Sequence, residues 1–346
     1  MKIKKITILS LLVIGSVFLA ACGAAAPAEE AATGPKVVHI VGDSLGDKSF
    51  IDSAHRGLTQ SVEEFGIELV TLELGGDSTK LEPAFIDTIQ DPETDFIVLG
   101  SWDLLEAVTE YAPQYPDVNI IFFDVPFDFD SCDCGNVYAI QYKQNEGSYL
   151  VGYYAALMSE TGIIGAVGGQ DIPVINDFFA GYLQGAADGG IPAENVLIQY
   201  AGVWSDPAKG KELALTMYQQ GADIVFQVAG GTGEGVFYAA EEAGKWSIGV
   251  DSDQALIIEE TAPEQAATIL TSMLKNVDKS LYRTFKKNYE GTLVMGVNEP
   301  LGIPEEGVGL AYNKYYDEAT PQDVKDAIAT AEAAIVAGEI VVDTAY

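Results

Sequence analysis

KVVHIVGDSLGDKSFIDSAHRGLTQSVEEF, residues 36–65, decides the fold class. Residues 37–41 are an apolar, β-branched run around His39, the pattern of a strand covered on both faces. A polar, glycine-containing turn over 42–50 follows, and 52–65 repeats apolar residues at helical spacing. The same rhythm recurs downstream. Strands are expected over 68–74, 95–99 and 119–125, with a helix over 104–111. Apolar strands alternating with helices specify a parallel sheet with helices on both faces. The rhythm then restarts: helix 146–159, strand 163–167, helix 178–187, strand 196–200, helix 208–219, strand 223–228, helix 235–243, strand 247–250. Beyond Asp251 the pattern reads as a helix over 263–289, an apolar segment over 308–312, a helix over 321–337 and a strand-like 340–342. The expected class is α/β, with two doubly wound, Rossmann-like lobes over 36–140 and 141–251. Parts of 252–300 and 300–346 would complete the first and second lobe, so the chain would cross between lobes more than once.

The N-terminal residues address location. Lys2, Lys4 and Lys5 precede an apolar run over 6–21, then Cys22 and a soft Ala/Pro/Glu linker. This is the grammar of a secretory signal, with a core too short and too weakly flanked for a membrane span. Leu19-Ala20-Ala21-Cys22 resembles the bacterial lipobox, in which the cysteine becomes the lipidated first residue. The expectation is a signal over 1–21, a lipidated tether over 22–35, and a body held at the outer or periplasmic face of the cell membrane by its lipid alone.

With 52 acidic against 18 basic residues the net charge is −34, and loss of Lys2, Lys4 and Lys5 with the signal takes it to −37. Such a surface repels phosphate backbones, so nucleic acid is excluded as a partner. Besides Cys22 the chain has Cys132 and Cys134, one residue apart beside Asp130 and Asp133. Three readings stand: a loop without ligand chemistry, a small-ring disulfide, or a metal site. No second cysteine pair or histidine cluster completes a metal site. His39 in its strand and His55 in its helix read as packing or surface residues. No metal and no cofactor are expected.

In open parallel sheets ligands bind beyond the C-terminal strand ends. Polar or glycine-rich segments follow several expected strands: 42–50, Gly100-Ser101-Trp102, Asp124, Gly168-Gly169-Gln170, 230–233 and Asp251. Loops of both lobes would face one cleft, as in a clamshell. Asp47-Lys48-Ser49-Phe50 sets a carboxylate, an ammonium, a hydroxyl and an aromatic at one strand-to-helix turn, where Ser49 or Asp52 would also serve as a plain helix cap. Gly230-Gly231-Thr232-Gly233 lets backbone approach a ligand but lacks the lysine of a phosphate-binding loop. HExxH and a catalytic Cys/His pair are missing from the sequence.

Seven motifs occur in order: Gly46-Asp47-Lys48-Ser49-Phe50, Glu146-Gly147-Ser148-Tyr149-Leu150, Pro173-Val174-Ile175 with Phe178 and Gly181, Trp204-Ser205-Asp206-Pro207-Ala208-Lys209-Gly210, Ala229-Gly230-Gly231-Thr232-Gly233, Ile248-Gly249-Val250-Asp251-Ser252-Asp253-Gln254, and Ser272-Met273-Leu274-Lys275. Together, from about residue 36 to 340, they resemble the basic membrane protein family of bacterial lipoproteins. Characterised transport members of that family are purine nucleoside receptors serving ABC importers. The resemblance implies a type I periplasmic-binding-protein clamshell that is not an enzyme and works with a permease and an ATPase. It implies a base clamped between Phe50 and Phe178, read by Asp47 and Asp124 beside Lys48. Asp251 and Lys275 would grip the ribose near the Gly231 backbone. The family usually has asparagine where this chain has Ile51, which alters recognition at that edge.

The reading is a tethered substrate-binding protein that captures a nucleoside, purine first, and delivers it to an ABC importer. Alternatives are a nucleoside hydrolase-like enzyme in the same cleft, or a surface lipoprotein acting as sensor or adhesin.

Overall fold

A computed structural model describes residues 34–346. Those residues form two six-stranded sheets with interleaved helices. The strands in chain order are β1 (Lys36–Val41), β2 (Glu68–Glu73), β3 (Phe96–Leu99), β4 (Asn119–Phe123), β5 (Val137–Tyr142), β6 (Ile164–Gly168), β7 (Val196–Tyr200), β8 (Ile224–Val228), β9 (Trp246–Asp251), β10 (Ile269–Lys275), β11 (Val297–Leu301) and β12 (Val308–Leu310). The sheet orders are β11-β5-β4-β3-β1-β2 and β12-β10-β9-β8-β6-β7. Every pairing is parallel except that of β12 with β10. Each lobe is therefore an α/β doubly wound unit. The chain passes between sheets after β5, after β10 and after β11.

Alternate residues of the first sheet enter different cores, the consequence of a two-residue side-chain period. Val37, Val98, Ile121 and Ile140 pack with Ala54 and Leu58 of α1 (Phe50–Phe65) and Leu281 and Phe285 of α10 (Val277–Tyr289). Val38, Ile40, Ile97 and Phe122 face Phe85 of α2 (Leu81–Gln90) and Val108 of α3 (Leu105–Tyr111). The second sheet lies between two helix pairs in the same way. Ile164, Ala166 and Phe226 meet Tyr154 of α4 (Gln144–Met158) and Tyr182 of α5 (Pro173–Asp188). Val167 and Val225 meet Met217 of α6 (Pro207–Gln219) and Val236 of α7 (Glu234–Ala243). Fully buried side chains of this size each contribute about 1.5–3 kcal/mol.

Three expectations are corrected. The single helix over 263–289 is instead α9 (Pro263–Ala266), strand β10 and helix α10, with α8 (Gln254–Glu259) before them. ILTSMLK at 269–275 is taken into the second sheet between β9 and β12, a tertiary pairing that overrides helical periodicity in its flanks. Helix α5 begins at Pro173 rather than 178, since proline is suited to the first helical turn, where its missing N–H costs nothing. Residues 340–342 form no strand. Side chains rather than a neighbouring strand bind that backbone: Gln184 donates to the Val341 carbonyl at 3.1 Å and Asn145 to that of Val342 at 3.3 Å. After β12 come α11 (Lys314–Ala319) and α12 (Gln322–Val336).

Candidate functional site

The C-terminal ends of strands from both sheets open onto one cavity of about 620 Å³. That is a size that holds a small organic ligand. The first lobe contributes the β1–α1 turn with Asp47, Phe50 and Ile51, then Trp102 after β3 and Asp124 after β4. The second contributes Phe178 of α5, Trp204 after β7, Gly231 after β8, Asp251 at the end of β9 and Lys275 at the end of β10.

Lys275 is the electrostatic centre. Its side chain is 4% exposed. Its ammonium donates to both oxygens of Asp124, at 2.9 and 2.8 Å, and lies 3.9 Å from Asp251. The same nitrogen lies 4.8 Å from the Phe50 ring centroid and 4.9 Å from that of Phe178. Two aromatic faces from different lobes thus share one cation. Burial pushes the Asp124 and Asp251 carboxyls above their ordinary values, and Lys275 opposes this in both. Desolvation disfavours an anion, and a nearby ammonium restores it.

Backbone strain concentrates here. Lys48, Asp124 and Asp251 all take left-handed conformations, with φ of 52°, 66° and 63°. Each such residue costs about 1–3 kcal/mol and persists only where its surroundings hold it there. The packed strands β4 and β9 supply that constraint for the two aspartates.

The β1–α1 turn is built by reciprocal capping. Asp47 accepts from the backbone N–H groups of Ser49, Ile51 and Asp52, each at 3.0 Å. Asp52 reaches back to the N–H of Gly46 at 2.8 Å and Lys48 at 2.9 Å. Asp47 is therefore the cap of α1 as well as a wall of the cavity. Burial pushes its carboxyl up to about 6, although those three donors hold it down. Ser49 is at the N-cap position but makes no cap with its side chain; its hydroxyl donates to Asp251 in the other lobe. Ile51 lines the cavity in the first turn of α1.

On the opposite wall Gly230 has φ of 55°, which favours glycine, and a side chain at Gly231 would meet the Trp204 carbonyl and Asp47. A side chain at Gly169 would run into the Trp204 ring, so glycine there seats the indole. Thr232 N–H bonds the Trp204 carbonyl at 2.8 Å and fixes the loop.

Several contacts cross the cleft. Lys48 pairs with Glu234 at 2.7 Å, Gln254 donates to the Lys48 carbonyl at 3.2 Å, and Arg56 donates to Ser252 at 2.9 Å. From the sequence, Trp102, Trp204 and Gln254 enter only within longer segments, with no role of their own, and Glu234 is missed. Their positions just beyond strands β3, β7, β8 and β9 were the available signal. The sequence-derived residues Asp47, Phe50, Asp124, Phe178, Gly231, Asp251 and Lys275 all line the cavity, while Lys48 takes part through its ion pair with Glu234. His39 is buried and held neutral, its value pushed down to about 3 by burial. Cys132 and Cys134 form a disulfide in the loop after Asp124. Cys22 lies outside the described residues.

A family model described as ABC transporter substrate-binding protein PnrA-like (Bmp) matches residues 35–344. The chain belongs to the Bmp family. It is 32% identical over 283 residues to basic membrane protein A of Borreliella burgdorferi, covering 81% of this chain and 80% of the relative. It is 34% identical over 252 residues to the ABC transporter nucleoside-binding protein BmpA of Lactococcus lactis subsp. cremoris, covering 70% and 69%. Among solved structures, an ABC transporter solute-binding protein from Aeropyrum pernix K1 superposes with a TM-score of 0.79 at 28% identity, covering 90% of this chain and 93% of that one. Bmp proteins are substrate-binding proteins of ABC transporters, not enzymes. The clamshell described above is their type I periplasmic-binding fold. Among the described residues no helix is long and apolar enough to cross a membrane, and no cluster of metal-ligating side chains occurs.

Proposed function

We propose that this Bmp-family chain is a lipid-anchored receptor that captures a nucleoside, purine first, between its lobes and hands it to the permease and ATPase of an ABC importer. The observation that carries the reading is the convergence of Phe50 and Phe178 on one buried ammonium flanked by two buried carboxylates. A planar base entering between the rings replaces the ammonium as their partner, with each stack contributing roughly 1–3 kcal/mol. Lys275 and Asp251 then serve the ribose, the carboxylate accepting from hydroxyls and the ammonium donating. Gly231 brings bare backbone to the sugar. Asp47 keeps one carboxylate oxygen with a single donor, and Asp124 presents the other acceptor to the base edge. Ile51 offers that edge no hydrogen bond from its side chain, so selectivity among bases is looser than an asparagine there would give. The Lactococcus relative named as nucleoside-binding supports the ligand class. The lipobox-like run ending at Cys22 supports an anchor at the outer or periplasmic membrane face.

Mass spectrometry of small molecules released from denatured protein, with calorimetric titration of inosine, adenosine, guanosine and cytidine, tests the reading. The expected result is a bound purine nucleoside, with Asp251→Ala weakening ribosides more than free bases. A protein that releases no nucleoside and whose melting temperature no nucleoside shifts at millimolar concentration refutes it. Cys22→Ala is expected to move the protein from the membrane fraction to the soluble one.

A further inference from the structure

Residues 341–346 run outside both sheets yet are tied closely to the second lobe. Gln184 of α5 donates to the Val341 carbonyl at 3.1 Å and accepts from Asp343 N–H at 2.7 Å. Asn145 of α4 donates to the Asp343 carbonyl at 3.0 Å. Asp177 accepts from the Thr344 hydroxyl at 2.6 Å and from Ala345 N–H at 3.0 Å. Asp177 is 1% exposed and directly precedes Phe178.

From that anchorage Tyr346 crosses to the other lobe. Its ring lies parallel to that of Trp102, with an interplanar angle of 9° and centroids 6.4 Å apart. Offset stacking within this separation is favourable for aromatic pairs. Trp102 follows β3 and lines the cavity. None of the three chain crossings between the sheets includes this contact, so it is a separate tie between lobes.

We propose that Tyr346 is a positioning residue for the cleft: stacked on Trp102, it joins the strap formed by residues 341–346 to the first lobe and sets how long the closed cleft retains its ligand. This inference rests on the receptor reading above for its ligand, though not for the contact itself. Opening the lobes must separate the two rings, so the pair opposes opening more than it guides entry. Its loss belongs in the dissociation rate.

Inosine is the probe, and Trp102 fluorescence gives a readout that needs no ligand. Tyr346→Ala is expected to raise the inosine dissociation rate about 2- to 10-fold with a smaller change in association. Tyr346→Phe, which keeps the ring, restores slow dissociation. In a Trp102→Ala background Tyr346→Ala adds nothing further, because the partner ring is gone. The chain has three tryptophans, so Trp204→Phe with Trp246→Phe leaves Trp102 as the reporter. There Tyr346→Ala is expected to make the emission more readily quenched by acrylamide. An unchanged dissociation rate in Tyr346→Ala, or the same acceleration without Trp102, overturns the proposal. If wild type binds neither inosine nor adenosine, guanosine or cytidine, the receptor reading fails by itself. Quenching then decides the strap: a rise upholds the contact and no change removes it.

Discussion

Lys275→Met isolates the electrostatics of the cleft. The substitution keeps much of the side-chain length and removes an ammonium buried among Asp124, Asp251, Phe50 and Phe178. Two carboxylates already pushed upward by burial then lose their counter-charge. Removing one partner of a buried pair costs about 3–5 kcal/mol, chiefly because the remaining charge is stranded. At roughly 2 cal/mol/K of unfolding entropy per residue, a body of this size should melt about 5–8 °C lower. The sign with pH follows from linkage. The folded-state values of both aspartates lie above their unfolded ones, and losing Lys275 raises them further. The protonated forms are therefore favoured in the fold, so stability is retained at low pH and lost as pH rises through the folded values. Calorimetry at pH 7.5 and pH 5 of wild type and Lys275→Met should show a large deficit at the higher pH and a smaller one at the lower. Asp124→Asn in the same background should recover most of the deficit by removing a stranded charge. Equal deficits at both pH values, or no recovery with Asp124→Asn, would refute the reasoning and leave packing as the cause.

Phe50→Ala and Phe178→Ala should each weaken all accepted nucleosides by a similar factor, about 5- to 150-fold for roughly 1–3 kcal/mol of stacking, as read by titration calorimetry. Glu234→Gln removes a partly exposed ion pair with Lys48, worth about 0.2–1 kcal/mol, so melting temperature should barely move while ligand dissociation quickens at low salt. Convergence of the wild-type and Glu234→Gln dissociation rates at high salt would confirm its electrostatic origin. The Asp47 carboxyl should titrate near pH 6 by carbon NMR, with Asp47→Asn assigning the resonance. Its folded value is raised, so its contribution to stability is present at low pH and lost as pH rises toward 6.

Much of the architecture was written in local pattern. Apolar runs such as 37–41 and 119–123 can be satisfied only by a sheet covered on both faces, and glycine and polar residues after them mark ligand-facing ends. Aromatic and charged residues at those ends, Phe50 and Asp251 among them, were legible by position and by family resemblance. Local pattern failed where tertiary pairing outweighed it. ILTSMLK between two helical stretches carries no strong period of its own, and neighbouring strands on both sides make it β10. That assignment turns Lys275 from a residue within a helix into one at a strand's cleft-facing end. Nor can spacing show that Ser49 meets Asp251 or Lys275 meets Asp124, across 202 and 151 residues. Those meetings depend on the chain changing sheets after Tyr142, Lys275 and Leu301. Sequence by itself determined the alternation of strand and helix, because backbone hydrogen bonding and burial impose their periods locally. Tertiary structure alone decided which carboxylate each cation faces, because only packing of the lobes sets distance and dielectric between residues remote in the chain.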